Sequence, residues 1–187
     1  MGADLGTADG QVHAQADSVI RFWLVETPAE RRFAREGALD AAICDRFGAL
    51  RDQVWQARAA GWRASPRTQL AAIILLDQFS RNLFRDDPRA YQADPLARAL
   101  AREALAKGWG EGMTEEERQF LHMPFMHSER MEDQLLSLRL FGAEDQWAHA
   151  HAAQIARFGR FPQRNAALGR ASTPAELAFL TEPGSRF

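Results

Sequence analysis

Cysteine is nearly absent from the sequence: Cys44 is the single one among 187 residues. One cysteine excludes an intrachain disulfide framework and suits a reducing compartment, so we expect a cytoplasmic protein. Long apolar runs are also missing. The longest, "LAAIILL" at 70–76, is far shorter than the roughly 20 residues that cross a bilayer. The sequence therefore predicts neither a disulfide-stapled secreted domain nor a membrane-spanning segment.

An excess of charge of one sign is lacking as well. Lysine and arginine total 23 against 25 acidic residues, a formal net charge of -2, so no global field favours nucleic acid or an anionic membrane. The sequence has no Gly-x-Gly-x-x-Gly fingerprint, P-loop or Gly-x-Ser-x-Gly elbow, the motifs of common cofactor and nucleophile sites. We expect no cofactor and no nucleic-acid partner.

The β-branched alternation typical of strands is absent, whereas helical spacing recurs. In the clearest case, apolar residues three and four apart form one stripe: Leu39, Ile43, Phe47, Leu50 and Val54. Such a stripe indicates a helix face packed on a core. We predict an all-α fold of about eight or nine helices, arranged as antiparallel hairpins because the connections are short.

Helix starts are marked by capping residues. "TPAE" at 27–30 and 173–176 offers Thr as N-cap, Pro at the first helical position and Glu for a capping box. "TEEE" at 114–117 repeats the box, and Asp94 precedes Pro95 as a candidate N-cap. The predicted helices are 18–25, 38–60, 67–84, 94–107, 115–123, 129–141, 144–157, 162–168 and 174–180. Residues 1–17 show no packing face, so we predict a disordered tail there and a single domain over 18–187.

Polar side chains interrupt the apolar face of the predicted helix 67–84. Asp77 and Arg81 are four residues apart on that face, and Gln78 and Asn82 form a second such pair. A buried carboxylate needs a partner. The pair is therefore either an internal clip between helices or part of a site.

The stretch "HSERMEDQ" at 127–134 follows Pro124, where we expect the chain to bend. His127 then lies at a helix junction, Ser128 caps the next helix, and Glu129 lies in its first turn. Gln134 closes the stretch. His122, His127 and Glu129 do not have a recognised metal-ligand spacing, so we predict no metal site.

An arginine-rich turn follows a helix that carries His151. Gly159 is placed as a left-handed C-cap and Pro162 as the start of the next helix. Four arginines fall in fourteen residues without an acid: Arg157, Arg160, Arg164 and Arg170. They form the best anion-binding candidate. The alternatives are ion pairs with Asp77, Glu129 or Asp133, and a nucleic-acid surface with Phe158 and Phe161, against which the net charge argues.

The stretches "LLDQFSRNLF", "HMPFMHSE" and "RFGRFPQRNAALGRASTPAELAFL" resemble a bacterial family known as domain of unknown function 924. The resemblance runs from residue 19 to residue 180. It implies an all-α fold similar to tetratricopeptide repeats and no established activity. Ser80 and Gln163 depart from the family, which usually has Pro and often His there. The positions that match the family motifs are Asp77, Gln78, Arg81, Asn82, His127, Glu129, Gln134, His151, Arg157, Arg160, Arg164 and Asn165.

Three functions fit these residues. In the first, the helices converge on a pocket whose arginines hold a small carboxylate or phosphate, and His127 or His151 transfers a proton with Glu129 setting the tautomer. In the second, a concave groove binds a peptide or protein without catalysis. In the third, the polar groups are a structural network. Whether the protein is an enzyme, and its oligomeric state, stay open.

Overall fold

The structure, a computed structural model, describes residues 5–185 and has no β-strand within them. The α-helices are α1 (Leu5–Ile20), α2 (Ala29–Arg32), α3 (Gly37–Gln56), α4 (Pro66–Ile73), α5 (Ser80–Leu83), α6 (Arg89–Gln92), α7 (Asp94–Ala106), α8 (Glu115–Met126), α9 (Met131–Phe141), α10 (Gln146–Phe158) and α11 (Pro174–Phe179). A π-helical segment, Arg21–Glu26, continues α1, and a second, Ile74–Phe79, joins α4 to α5. The predicted all-α fold is confirmed.

The predicted N-terminal tail is wrong for the residues that the structure describes. Helix α1 begins at Leu5 and packs against α4, while residues 1–4 lie outside the described range. Ala16 and Val19 are fully buried. The core-facing side of α1 was missed because only Val12 and Ala16 mark it before residue 18, which gives a weak helical pattern.

The capping signals were correct at two of the predicted starts. The Thr114 and Thr173 hydroxyls each accept a hydrogen bond from the backbone amide of the glutamate three residues on, and the carboxylate of that glutamate accepts one from the threonine backbone amide. The end of α3 was predicted too late. It ends at Gln56 because Arg58 and Ala59 adopt left-handed backbone angles, with φ of 51° and 57°.

Three predicted caps serve other roles. The Thr27 hydroxyl donates to the Phe22 carbonyl at 2.8 Å and does not cap α2. Asp94 is the first residue of α7, with its carboxylate turned to Arg81. Ser128 does not cap α9, which begins only at Met131.

The core is built around the continuous helix 66–83. Helix α4 packs against α1, α7 and α8, and the π segment Ile74–Phe79 packs against α3. The predicted stripe of α3 faces this core, with Leu39, Ile43, Phe47 and Val54 buried. None of the helices within residues 5–185 combines the length and apolar character needed to cross a membrane.

Candidate functional site

Asp77 is the buried centre of the site and lies in the π segment. Its side chain is 1 % exposed and pairs with Arg81 Nη1 at 3.0 Å. Both carboxylate oxygens lie 2.9 Å from His127 Nδ1. Burial raises the pKa of Asp77, but Arg81 and His127 together lower it by more, so the net shift of the pKa is downward. Asp77 is therefore ionised at neutral pH.

Arg81 joins Asp77 to the start of α7. Its guanidinium donates to the Asp77 carbonyl and to both carboxylate oxygens of Asp94, at 3.1 Å each. Burial lowers the pKa of Arg81, but Asp77 and Asp94 raise it more. The expected second pair is not formed, because Gln78 donates to Asp77 and Asn82 to Asp40.

In the His127 ring, Nδ1 is hydrogen-bonded and Nε2 is not. Asp77 accepts from Nδ1–H, which leaves the lone pair of the neutral ring on Nε2. Nε2 makes no hydrogen bond with any described residue and is not fully buried. Burial lowers the pKa of His127, and Asp77 opposes the shift without reversing it. The prediction that Glu129 sets this tautomer is wrong, because Asp77 does so.

Gln134 fixes the junction that carries His127. Its side-chain amide donates to the Met126 carbonyl at 2.8 Å and the Ser128 carbonyl at 2.6 Å, on either side of His127. Pro124 lies inside α8, which continues to Met126. The predicted bend thus comes after the proline, where Gln134 satisfies the carbonyls of the helix end.

His151 lies on α10 beside His127, with ring centroids 5.9 Å apart. Its Nδ1 is 2.7 Å from the Trp147 carbonyl, and its ring meets Phe161 edge-on. Burial, then His127, lowers the pKa of His151 to about 3. The imidazole is therefore neutral across the physiological range.

Arg164 belongs to a 3-10 turn, Pro162–Arg164, that follows α10. Gly159 ends α10 with a φ of 69°, as predicted, but Pro162 starts only this turn and no helix to 168. Arg164 is 8 % exposed. Its guanidinium lies 4.7 Å from the Tyr91 ring centroid and 4.4 Å from that of Phe161.

Arg164 has few polar contacts for a buried cation. The nearest carboxylate oxygen, on Asp94, is 3.6 Å from Nη1, an ion pair without a hydrogen bond. No described residue accepts a hydrogen bond from the guanidinium, and none of its nitrogens is fully buried. Its in-plane N–H groups are therefore available to donate hydrogen bonds to a ligand.

The other arginines of the turn do not share one anion site. Arg160 donates to both oxygens of Glu176, at 2.6 and 2.8 Å. Arg170 donates to both oxygens of Glu129, at 2.7 and 2.9 Å. Arg157 is exposed and lies over the Phe158 ring. Arg160 and Arg164 do form ion pairs, but with Glu176 and Asp94. The sequence had suggested Asp77, Glu129 or Asp133 as their partners.

Glu129 and Asn165 organise the turn. Glu129 also accepts a hydrogen bond from the Phe161 amide at 2.8 Å. Asn165 donates to Ser172 at 3.0 Å and accepts from Arg170. These contacts hold the last segments together. Glu129 already accepts from the Phe161 amide, which was expected to be free at the start of the turn.

The residues that do meet are named here the polar cluster: Asp77, Arg81, Asp94, His127, His151 and Arg164. Sequence reasoning missed Asp94, because its position before a proline was interpreted as a cap. It also missed Tyr91, which lies near both arginines and lines a groove of about 280 Å³ with Pro88, Arg89, Gln92 and Leu168. No group of three or more metal-ligating side chains occurs in the described part of the chain.

A family model described as a bacterial protein of unknown function, DUF924, matches residues 19–184. The chain belongs to the DUF924 family. This DUF924 protein is also similar to a solved structure of a protein of unknown function from Agrobacterium tumefaciens, with a TM-score of 0.84 and 35% identity. The likeness covers 90% of this chain and 97% of that one. No curated protein matches the chain.

Proposed function

We propose that the polar cluster binds a small anionic ligand, a carboxylate or a phosphate, on Arg164, and that His127 exchanges a proton with the bound molecule. The observation that carries the proposal is Arg164: a side chain 10 % exposed that has no hydrogen bond with any described residue. Its nitrogens are not fully buried, so a ligand from solvent can reach them. A bound anion would supply the missing acceptors.

The surroundings of Arg164 favour an in-plane ligand. Tyr91 and Phe161 lie against the guanidinium through their rings, at 4.7 and 4.4 Å. Aromatic contacts stabilise a guanidinium through its faces, so its edge remains for hydrogen bonds. That edge matches two oxygens of a carboxylate or phosphate in a bidentate pair.

Arg81 and Arg164 differ in how much of their charge is already paired. Arg81 holds Asp94 through two hydrogen bonds and Asp77 through an ion pair. Arg164 forms only a 3.6 Å ion pair with Asp94 and a longer-range attraction to Glu129, with no hydrogen bond to either. An anion would therefore bind on Arg164 without displacing the clip between Asp77 and Arg81.

His127 is the best-placed proton-transfer group. Asp77 orients the ring so that Nε2 carries the lone pair, an arrangement that general bases use. The lowered pKa keeps the ring neutral at pH 7 and able to accept a proton. The His127 ring is next to that of His151, which meets Phe161. Phe161 in turn lies under the Arg164 guanidinium. An anion on Arg164 would therefore bind in the same cluster as His127.

Calorimetric titration with sodium phosphate and with sodium acetate tests the binding part of the proposal. We expect at least one of these anions to bind the wild type, and Arg164→Gln to weaken binding by roughly tenfold or more, because a bidentate charged contact is lost. The matched control is Arg157→Gln, which removes an exposed arginine of the same segment that forms no ion pair with described residues. It should leave the affinity unchanged.

The proton-transfer part is tested by an NMR titration of the His127 ring with and without phosphate. A bound anion favours the imidazolium, so the pKa of His127 should rise on binding. Equal affinity in Arg164→Gln and wild type would disprove the anion site. Absence of binding, together with a large loss of stability in that variant, would favour the structural network, and binding of peptides alone would favour the groove.

A further inference from the structure

A second cleft lies between the loop that follows α7 and the middle of α8. It has a volume of about 410 Å³ and is lined by Leu105, Gly108, Gly110, Glu111, Arg118 and His122. Small-molecule pockets usually span roughly 300 to 1,000 Å³. His122 and His127 are five positions apart, which places them about 140° apart around the axis of a helix. The cleft is thus a different place from the polar cluster.

His122 is the buried polar group of this cleft. It is 8 % exposed, and its ring meets Phe141 edge-on at 5.9 Å. Neither ring nitrogen has a hydrogen bond with a described residue, and neither is fully buried. Burial, then Arg118, lowers the pKa of His122 to about 4. At neutral pH the ring therefore offers one donor and one acceptor without a net charge.

Two opposite charges line the same cleft without pairing. Arg118 donates from Nη1 to the Met113 carbonyl, and its other nitrogens make no hydrogen bond with described residues. Neither Arg118 nor Glu111 forms an ion pair with any residue in the range 5–185. A guanidinium and a carboxylate that face one cavity and do not neutralise each other are complementary to a ligand that carries both charges.

Two glycines, Gly108 and Gly110, line this cleft. Gly108 has a φ of 69° and ends α7 in the left-handed region that glycine favours. At Gly110 an added Cβ atom would lie 3.6 Å from Leu121 Cδ2, an ordinary contact.

We propose that this cleft binds a small zwitterion of the free amino acid type. Arg118 would hold the carboxylate and Glu111 the ammonium group, because neither forms an ion pair with a described residue. His122 would hydrogen-bond the polar atoms between them, and Leu105 offers an apolar wall for a side chain. The proposal is independent of the anion site on Arg164.

The test uses L-leucine as the probe, with N-acetyl-L-leucine and L-leucine methyl ester as analogues that each lack one charge. Binding is followed by NMR shifts of the Gly108 and Gly110 amides in the full-length protein. L-leucine should give saturable shifts, and both analogues should bind at least roughly tenfold more weakly. Arg118→Gln and Glu111→Gln should each weaken leucine binding by a similar factor.

Glu115→Gln is the matched control, since Glu115 is an exposed residue of the first turn of α8 and does not line the cleft. It should not change the affinity. Equal binding of leucine and either analogue would overturn the zwitterion assignment. No saturable shift up to about 10 mM leucine, a concentration that detects even weak binding, would overturn the site.

Discussion

The chemistry of the polar cluster depends on a single buried contact, between the Asp77 carboxylate and His127 Nδ1. This contact is the largest influence that raises the pKa of His127, against burial, Arg81 and Arg164, which lower it. In Asp77→Asn, which keeps the shape of the side chain, we therefore expect His127 to titrate at a lower pH than in the wild type. Nitrogen NMR of the imidazole measures this directly.

Arg164→Gln should shift the pKa of His127 in the opposite direction to Asp77→Asn. It removes a positive charge near His127, so the imidazole should titrate at a higher pH than in the wild type. A pKa of His127 that is the same in all three proteins would show that neither group is in electrostatic contact with the ring.

Glu176 links stability to pH. The Arg160 hydrogen bonds, with the Thr173 amide, lower the pKa of Glu176 from 4.5 to about 2. A carboxyl with a lower pKa in the folded state stabilises the protein fully above its unfolded pKa and progressively less as the pH falls toward the folded one. Urea unfolding should therefore show a loss of stability between pH 4.5 and 2 that is smaller in Glu176→Gln.

Glu115→Gln, at an exposed position of α8, is the control for this comparison. It should lose as much stability over the same pH range as the wild type. An acid dependence that is identical in Glu176→Gln and wild type would mean that the ion pair with Arg160 contributes no pH-dependent stability.

Residue roles were only partly predictable, because side-chain partners depend on which helices meet. Asp77 and Arg81 are four residues apart, so helical geometry alone indicated their ion pair. His127 and Asp77 are 50 positions apart, and no local spacing links them. Glu129 was assigned to His127 because it is near in sequence, whereas the fold gives it to Arg170.

Among the helices, two glycines provide a matched test of backbone conformation. Gly159 ends α10 with a φ of 69°, where a Cβ is unfavourable by about 1 kcal/mol. Gly48 lies within α3, and a Cβ there would meet Leu83 at an ordinary 3.8 Å. We expect Gly159→Ala to destabilise the protein by about 1 kcal/mol, and Gly48→Ala to stabilise it by about 0.5 to 1 kcal/mol.

Urea unfolding of both variants measures the two changes in free energy. A gain of stability in Gly159→Ala would contradict the left-handed cap. A loss in Gly48→Ala would show that the helix interface beside Leu83 has no room for a methyl group.

Helix positions were more predictable than helix contacts, because capping and periodicity are local. The boxes at Thr114 and Thr173 gave starts that match α8 and α11. The same motif failed at Thr27, which follows the π segment Arg21–Glu26 and donates its hydroxyl back to the Phe22 carbonyl near the start of that segment. The start of α1 was missed because residues 1–17 carry few large apolar side chains.

At the scale of the whole molecule, aromatic rings of other helical segments pack against Phe79 of the central helix and contribute to the free energy of unfolding. Phe79 is fully buried, and its ring lies within 5.2 Å of those of Trp23 and Phe47. Phe79→Ala should lower the free energy of unfolding by about 3 to 5 kcal/mol, since it removes apolar contacts and leaves a cavity. Denaturant unfolding followed by circular dichroism measures the loss.

Leu177→Ala is the reference variant, at a residue 56% exposed on α11. It should change stability by less than about 0.5 kcal/mol. Similar losses in both variants would mean that Phe79 is not a centre of the core. The all-α class followed from the sequence because periodicity repeats in every segment, but the order in which helices pack is set by long-range contacts that no short pattern encodes.

The π segment Ile74–Phe79 has a consequence for how this helix can change in evolution. A π turn accommodates one more residue than the α-helical turn it replaces, so deleting one residue there would restore a regular helix. The residues before and after the deletion would keep their relative orientation, because the π turn absorbs the extra residue locally. A deletion within the α-helical part, Pro66–Ile73, would instead rotate the residues before it by about 100° relative to Arg81. The helix can therefore lose one residue within the π segment and still present Arg81 to Asp94, whereas a loss in α4 would turn its apolar face away from the core.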